Sequence, residues 1–315
     1  MTTMNNAATG GGTQAGFIEE TVYGTTPATP SLTALRNRPF SFSPEVENYI
    51  NREVGNNRIA KGVKKVFERG SVAIPMDLIY GNADAILEAI MKGTWTGAGT
   101  QTLANGSVNR AFSLEQHRAD AATPYFILAR GTMFHGFEIA ISADGSDPVL
   151  LTLNGQCAEI SPAAATVDAG SGYTAAPGNT PVDAGEVSFQ IDAAGIDIIG
   201  ATFTYNDAID AKRECGSKTP TGFNPAAGGR SGQVSLTGYA VNKDAFDRMK
   251  ADAQHAFTAT AVDAEGNTLV ISAPVIKPIG AYQESADDGS IRWEQTFEAF
   301  DPAGGTVFSF TRTPA

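Results

Sequence analysis

Residues 40–55, FSFSPEVENYINREVG, and residues 201–216, ATFTYNDAIDAKRECG, align without a gap. Phe42 falls on Phe203, Arg52 on Arg213, Glu53 on Glu214 and Gly55 on Gly216, each at an offset of 161. The correspondence continues outward. Arg69 matches Arg230, the strand-like stretch Ser71–Met76 matches Gln233–Gly238, and Asp84-Ala85 matches Asp244-Ala245. Further on, Met133–Gln156 and Ile279–Ala299 agree as hairpins in pattern more than in identity. Similarity at offsets of 160 to 162 through the helix, with the order of elements preserved, predicts an internal duplication.

Around these stretches, apolar residues alternate along short runs: Phe40 and Phe42; Val72, Ile74 and Met76; Phe137, Ile139 and Ile141; Leu151 and Leu153. A period of two marks half-buried strands. Asp144-Gly145, Glu265-Gly266 and Asp288-Gly289 lie between such runs, where a residue at positive φ closes a hairpin. Two segments have helical spacing instead, Asn82–Lys92 and Asn242–Ala253, each opening on an Asn suited to capping. The expected fold is mainly β with α+β detail: two tandem antiparallel β-sandwich or barrel-like domains, each with one flanking helix. Copy 1 is placed at residues 17–160 and copy 2 at 185–315. Residues 1–16, rich in Asn, Thr, Ala and Gly, read as a flexible arm. Residues 161–184 read as a linker or extended crossing, with a strand-like arm reaching a neighbouring subunit as the alternative.

Composition narrows the function. The chain has 315 residues and a formal charge of -12, from 34 acidic and 22 basic side chains. That balance argues against a broad grip on a phosphate backbone. No run approaches the roughly 20 apolar residues of a membrane helix, and the opening MTTMNNAATGGGTQAG lacks the marks of a secretory signal, so a cytoplasmic site of synthesis is expected. Cys157 and Cys215, the only two cysteines, are too few for a disulfide framework and read as buried, reduced thiols.

No catalytic, cofactor or metal residues emerge. Glu45 with Glu47, or Asp287 with Asp288, are adjacent carboxylates of the kind that sit in hairpins. His117, His135 and His255 have no metal-ligand spacing. Asp144-Gly-Ser-Asp147 lacks the far Glu of a calcium loop.

The segment Glu19-Glu20-Thr21-Val22-Tyr23-Gly24-Thr25-Thr26-Pro27, then Ala34-Leu35-Arg36 and Ser43-Pro44-Glu45-Val46-Glu47, resembles the start of siphophage tail tube proteins. Tyr80-Gly81, the helix ending at Met91-Lys92-Gly93-Thr94-Trp95, and the strands Trp293–Phe300 and Thr306–Arg312 extend the resemblance over nearly the whole chain. It implies a structural virion protein that polymerises into stacked rings, the tail tube, through which the genome is ejected. Six tube domains usually make a ring, so a two-copy chain implies a trimer with pseudo-sixfold rings, preferred here to a true hexamer. The implied partners are further copies of itself, a tape measure protein in the lumen during assembly, and tail terminator and baseplate or distal tail proteins at the ends. DNA passes without specific binding, and no membrane or cofactor is involved. The inner tube of a contractile tail or injection machine shares the architecture and stays open, as does, more remotely, a surface adhesion module.

The acidic excess is greater in the second copy than in the first, and a DNA conduit is expected to have an acidic or neutral lumen. The one basic cluster, Arg58, Lys61, Lys64, Lys65 and Arg69, is a solvated loop or an inter-ring contact that meets acidic groups of the next ring, with DNA binding the weakest reading because no aromatics are interleaved.

Overall fold

The computed structural model describes residues 13–51, 62–170, 172–241, 243–251, 253–286 and 290–315. The first half runs β1 (Thr13–Glu19), β2 (Thr33–Leu35), β3 (Phe42–Asn51), β4 (Gly62–Asp77), α1 (Asp84–Met91), β5 (Gln101–Leu103), β6 (Phe112–Arg118), β7 (Tyr125–Ser142), β8 (Leu150–Cys157) and β9 (Glu159–Ala163). The second runs β10 (Val187–Ile191), β11 (Ala194–Gly195), β12 (Gly200–Ala211), β13 (Phe223–Tyr239), α2 (Asp244–Lys250), β14 (His255–Val262), β15 (Thr268–Ala286), β16 (Ile291–Ala299) and β17 (Ser309–Thr313). The fold is mainly β, as expected, and its ladders are antiparallel.

The alternating apolar residues face one core. Val72, Ile74, Met76, Phe137, Ile139, Ile141, Leu151 and Leu153 are all buried, because consecutive strand side chains point to opposite faces. The long strand β7 changes partners midway. Its first part pairs with β6 and β9, and its second part with β8 and β12.

The ladders recur in order. β1·β6, β6·β7, β7·β9, β3·β4, β4·β8 and β7·β8 are answered in the second half by β10·β14, β14·β15, β15·β17, β12·β13, β13·β16 and β15·β16. Registers agree as well, since Phe42 sits opposite Val72 and Phe203 opposite Val234. The Arg38 N–H donates to the Pro75 carbonyl at 2.8 Å and the Ile199 N–H to the Thr237 carbonyl at 2.7 Å, at the corresponding positions.

Two pairings join the halves. β12 runs along β7 from Gly200 opposite Ser142 to Asn206 opposite Gly136, and β17 runs along β5. At the first join Phe137 stacks on Tyr205 (5.4 Å, 17° between planes) and meets Phe308 and Phe310 at 6.1 and 5.3 Å. Burying each such ring contributes roughly 1.5–3 kcal/mol, and the aromatic pairings add about 0.5–1.5 kcal/mol each. The buried Lys92–Asp207 ion pair (2.8 Å) and the Asn105 amide on the Tyr205 hydroxyl (2.8 Å) complete the junction.

Several expectations need correction. Asn82 does not cap α1, whose N-cap is Ala83 with no side-chain bond. Instead its amide accepts from the Arg36 N–H at 3.1 Å and donates to the Arg36 carbonyl at 3.0 Å, pinning the segment after β2. Asn242 and Asp288-Gly289 lie outside the described residues. Gly266 takes a positive φ (90°), but Gly145 does not. Cys157 is buried and its thiol pKa is pushed up to about 12 by desolvation, whereas Cys215 is exposed because it lies in the loop between β12 and β13. Thr13–Gly16, read as arm, form the start of β1 on β6. Residues 161–184, read as a linker or extended crossing, begin inside β9 and then run in extended form along their own chain. There Thr174 exchanges bonds with Leu32 and Ala34, and buried Asp168 accepts from the Leu32 N–H at 2.8 Å.

Phe137→Ala is expected to cost about 3–5 kcal/mol, because it empties the aromatic junction. Phe246→Ala, at a half-exposed site on α2 where the ring meets Tyr282 edge-on at 5.7 Å, is expected to cost less, about 0.5–1.5 kcal/mol. Urea denaturation of both variants checks the contrast.

Candidate functional site: the polar sheet face and its hairpins

Strands β3, β4, β8, β7, β12, β13, β16 and β15, in that order, form one continuous antiparallel run. One face of it is core. The residues between the core positions make the opposite face, and they are mostly short and polar: Ser43, Ser71, Thr152, Asn154, Thr202, Thr204, Gln233, Ser235 and Thr296. Neighbours bond across strands, with the Ser235 and Thr296 hydroxyls 3.0 Å apart and the Gln233 amide 3.1 Å from Glu298. Near β3, β4 and β8 the face forms a trough of about 690 Å³. Glu45, Asp77, Glu138, Glu294 and Glu298 stand on this face against Arg69, Lys277 and Arg292. Arg69 is held by Glu45 at 2.8 Å and Arg292 by Asp144 at 2.7 Å. Among the described residues no row of Lys or Arg runs along it.

Beyond the body, β3 and β4 continue as a two-stranded ribbon, solvent-exposed from Ser43 through Ile50 and from Gly62 through Val66. Val46, Tyr49, Ile50, Val63 and Val66 are large apolar side chains left in water there. The ribbon leans on the loop between β12 and β13. Arg213 clasps Glu47 through two hydrogen bonds and covers the Phe67 ring at 4.0 Å, and the Glu68 N–H donates to the Lys218 carbonyl at 2.8 Å. The Arg213 guanidinium holds the Glu47 carboxyl below the usual carboxylate range. This clasp joins residues 166 apart, and sequence reading did not find it.

Of the basic cluster, Arg58 and Lys61 lie outside the described residues. Lys64 and Lys65 are exposed on the ribbon, Lys65 is bonded to Glu68, and Arg69 lies nearer the body on Glu45. The histidines are scattered: His117 stacks on Phe126 at 4.3 Å, His135 bonds Asn206 at 2.9 Å, and His255 bonds Asp192 at 2.7 Å. Among the described residues no three His, Cys, Asp or Glu side chains converge on a metal position, and no helix is long and apolar enough to cross a membrane.

The segment Glu19–Pro27 gains a physical meaning. Buried Glu20 accepts from the Gly24 N–H at 2.6 Å, the Ser113 hydroxyl at 2.7 Å and the Gly131 N–H at 2.9 Å, so one carboxylate ties the turn after β1 to two other strands. A family model described as phage tail tube protein matches residues 10–299. The chain belongs to the phage tail tube protein family. It is therefore a structural component of a bacteriophage virion. Against the curated proteins, no match is found. For a tail tube protein, the relevant features are surfaces: one polar sheet face, the exposed β3–β4 ribbon, and the strand edges at either end of the run.

The depressed pKa of Glu47 gives the clasp a pH dependence. Its contribution is complete above the ordinary glutamate pKa of about 4.3 and is lost as pH falls through the lower folded value. Amide exchange at Glu68 reports it: protection is expected to drop in that acid window. Glu47→Gln should lower protection already at neutral pH and remove the acid step.

Proposed function

We propose that this chain polymerises into stacked rings forming the tail tube of a long, non-contractile phage tail, the conduit for DNA during ejection. The polar face of the eight-strand run is the lumen wall. The observation that carries this reading is the contrast between that face and the core on the other side: hydroxyls and amides, a modest acidic excess, and cations held by carboxylates. A conduit must not hold its cargo. Phosphate contacts repeated ring after ring would add up to retention, whereas a hydroxyl-rich, slightly acidic wall gives DNA no sustained grip. The function is mechanical, without catalysis.

Residues 17–160 and 185–315 are two copies of one tube domain, a reading supported by the recurring ladders, so a ring of three chains presents six domains. A tape measure protein occupies the lumen during assembly, and terminator and distal tail proteins close the ends. The ribbon carrying Lys64 and Lys65, with Arg58, Lys61 and Arg69, contacts the next ring, where it meets acidic groups.

Negative-stain microscopy with mass photometry, at rising concentration of the purified chain, tests the proposal. Hollow tubes built from three-chain rings are expected. Six-chain rings would overturn the trimer, and a chain that stays monomeric at every concentration would overturn self-polymerisation. Lys64→Glu with Lys65→Glu is expected to leave the subunit folded by circular dichroism but to shorten or abolish tubes. Tubes of normal length from that double variant would remove the inter-ring role of the ribbon.

A further inference from the structure

The internal join between β7 and β12 is a template for a second join that the single chain leaves unmade. By the matching registers, β3 stands where β12 stands, and the last part of β15 stands where the second part of β7 stands. Phe42 opposite Val72 mirrors Phe203 opposite Val234, and from there β4·β8 mirrors β13·β16, which carries Ile139 of β7 onto Glu284 of β15. β12 has β7 along its outer edge, whereas among the described residues β3 pairs only with β4 and residues 283–286 of β15 pair only with β16.

Hydrogen-bond direction agrees on both edges. In an antiparallel ladder a residue turns its N–H and C=O to one neighbour and the next residue turns them to the other. The Pro75 carbonyl accepts from Arg38, so odd-numbered residues of this part of β4 face β3, and Ser43 opposite Ser71 faces inward. Phe42 and Pro44 therefore face outward. The Phe300 N–H donates to the Val275 carbonyl, so even-numbered residues of β16 face β15, and Gln283 opposite Glu294 faces inward. Tyr282 and Glu284 therefore face outward. The template places Phe42 opposite Glu284 and Pro44 opposite Tyr282, the positions whose backbone groups are free to meet.

Burial points the same way. Phe246 of α2 corresponds to Ile86 of α1, yet Ile86 is 0% exposed and Phe246 is 38% exposed. Val241 and Ile291, at the same end of the second half, are also exposed, Val241 at 81%. Such a patch marks a surface that is covered in the working state.

We infer that β3 of one chain pairs antiparallel with residues 281–285 of β15 in a second copy, with Phe42 opposite Glu284 and Ser43 opposite Gln283, and that this second copy's α2 and its apolar surroundings are covered by the first half of the chain that supplies β3. The inference rests on the tube reading and specifies its ring seam. The seam is more polar than its template, since Glu284 and Tyr282 replace Ile139 and Phe137. It also lacks one bond, because Pro44 has no N–H.

The test mixes chains that each carry one added cysteine, Ser43→Cys with Gln283→Cys, in a Cys215→Ser background that keeps only the buried Cys157, assembles tubes, oxidises them and resolves them on a non-reducing gel. A covalent dimer between the two variants is expected. The pair Ser41→Cys with Gln283→Cys, two residues out of register, is expected to stay uncrosslinked. Tubes without the first crosslink, or with both equally, would overturn the register while leaving the tube reading in place. Absence of any tubes from the unmodified chain would sink both. Hydrogen exchange on the unmodified chain is the second measurement: amides of Phe42, Tyr282 and Glu284 are expected to gain at least tenfold protection on assembly, and unchanged exchange there would overturn the seam even if the cysteine variants fail to assemble.

Discussion

The antiparallel contact between β7 and β12 is the constraint from which the rest of the architecture follows. It brings Phe137 of one half against Tyr205 of the other in a dry setting and lets the apolar faces of both halves merge into one core. Without it the chain would present two smaller β units, each with an unpaired edge and a half-covered helix. With it, one edge pair is closed within the chain and the other is left at the two extremes of the strand run. The same contact explains why the helices differ. α1 is sealed at the junction, with Arg312 reaching Asp84 and Lys92 reaching Asp207, whereas α2 buries only Ala245.

The polar face has its own logic. Thr suits a strand through its branched Cβ and Asn does not, but these short polar side chains bury little apolar surface, so the core side supplies most of the stability. The hydroxyl and amide pairs across strands satisfy one another, so the face stays hydrated without depending on charge for solubility. Charge is placed where it does local structural work instead, as in Glu20 at the first turn and Glu47 in the hairpin clasp.

Much of this was legible in the chain itself. The two-residue alternation at Val72–Met76, Phe137–Ile141 and Leu151–Leu153 identified the buried faces, and the 161-residue offset anticipated that β3–β4 and β12–β13 occupy like positions. What periodicity does not encode is which edge meets which, so the β7–β12 join was invisible until the chain was folded. Asn82 was misread because Asn before a helical run usually caps it, and here a backbone segment 46 residues away competes for the same amide. Cys215 was misread from the general preference of cysteine for interiors, which a hairpin loop overrides. The Glu47–Arg213 clasp left no local signal, since its partners meet only after both long hairpins have formed.

Pro44 gives the outer edge of β3 a carbonyl but no amide hydrogen. Any extended peptide that lands there forms a ladder with a gap, forgoing a bond worth about 1 kcal/mol. A chance visitor has nothing to offset that loss and dissociates. A strand that simultaneously brings a complementary body against the neighbouring surfaces does, so the edge selects its partner by the company that strand keeps. This kind of discrimination acts through dissociation rates instead of through bulk or charge.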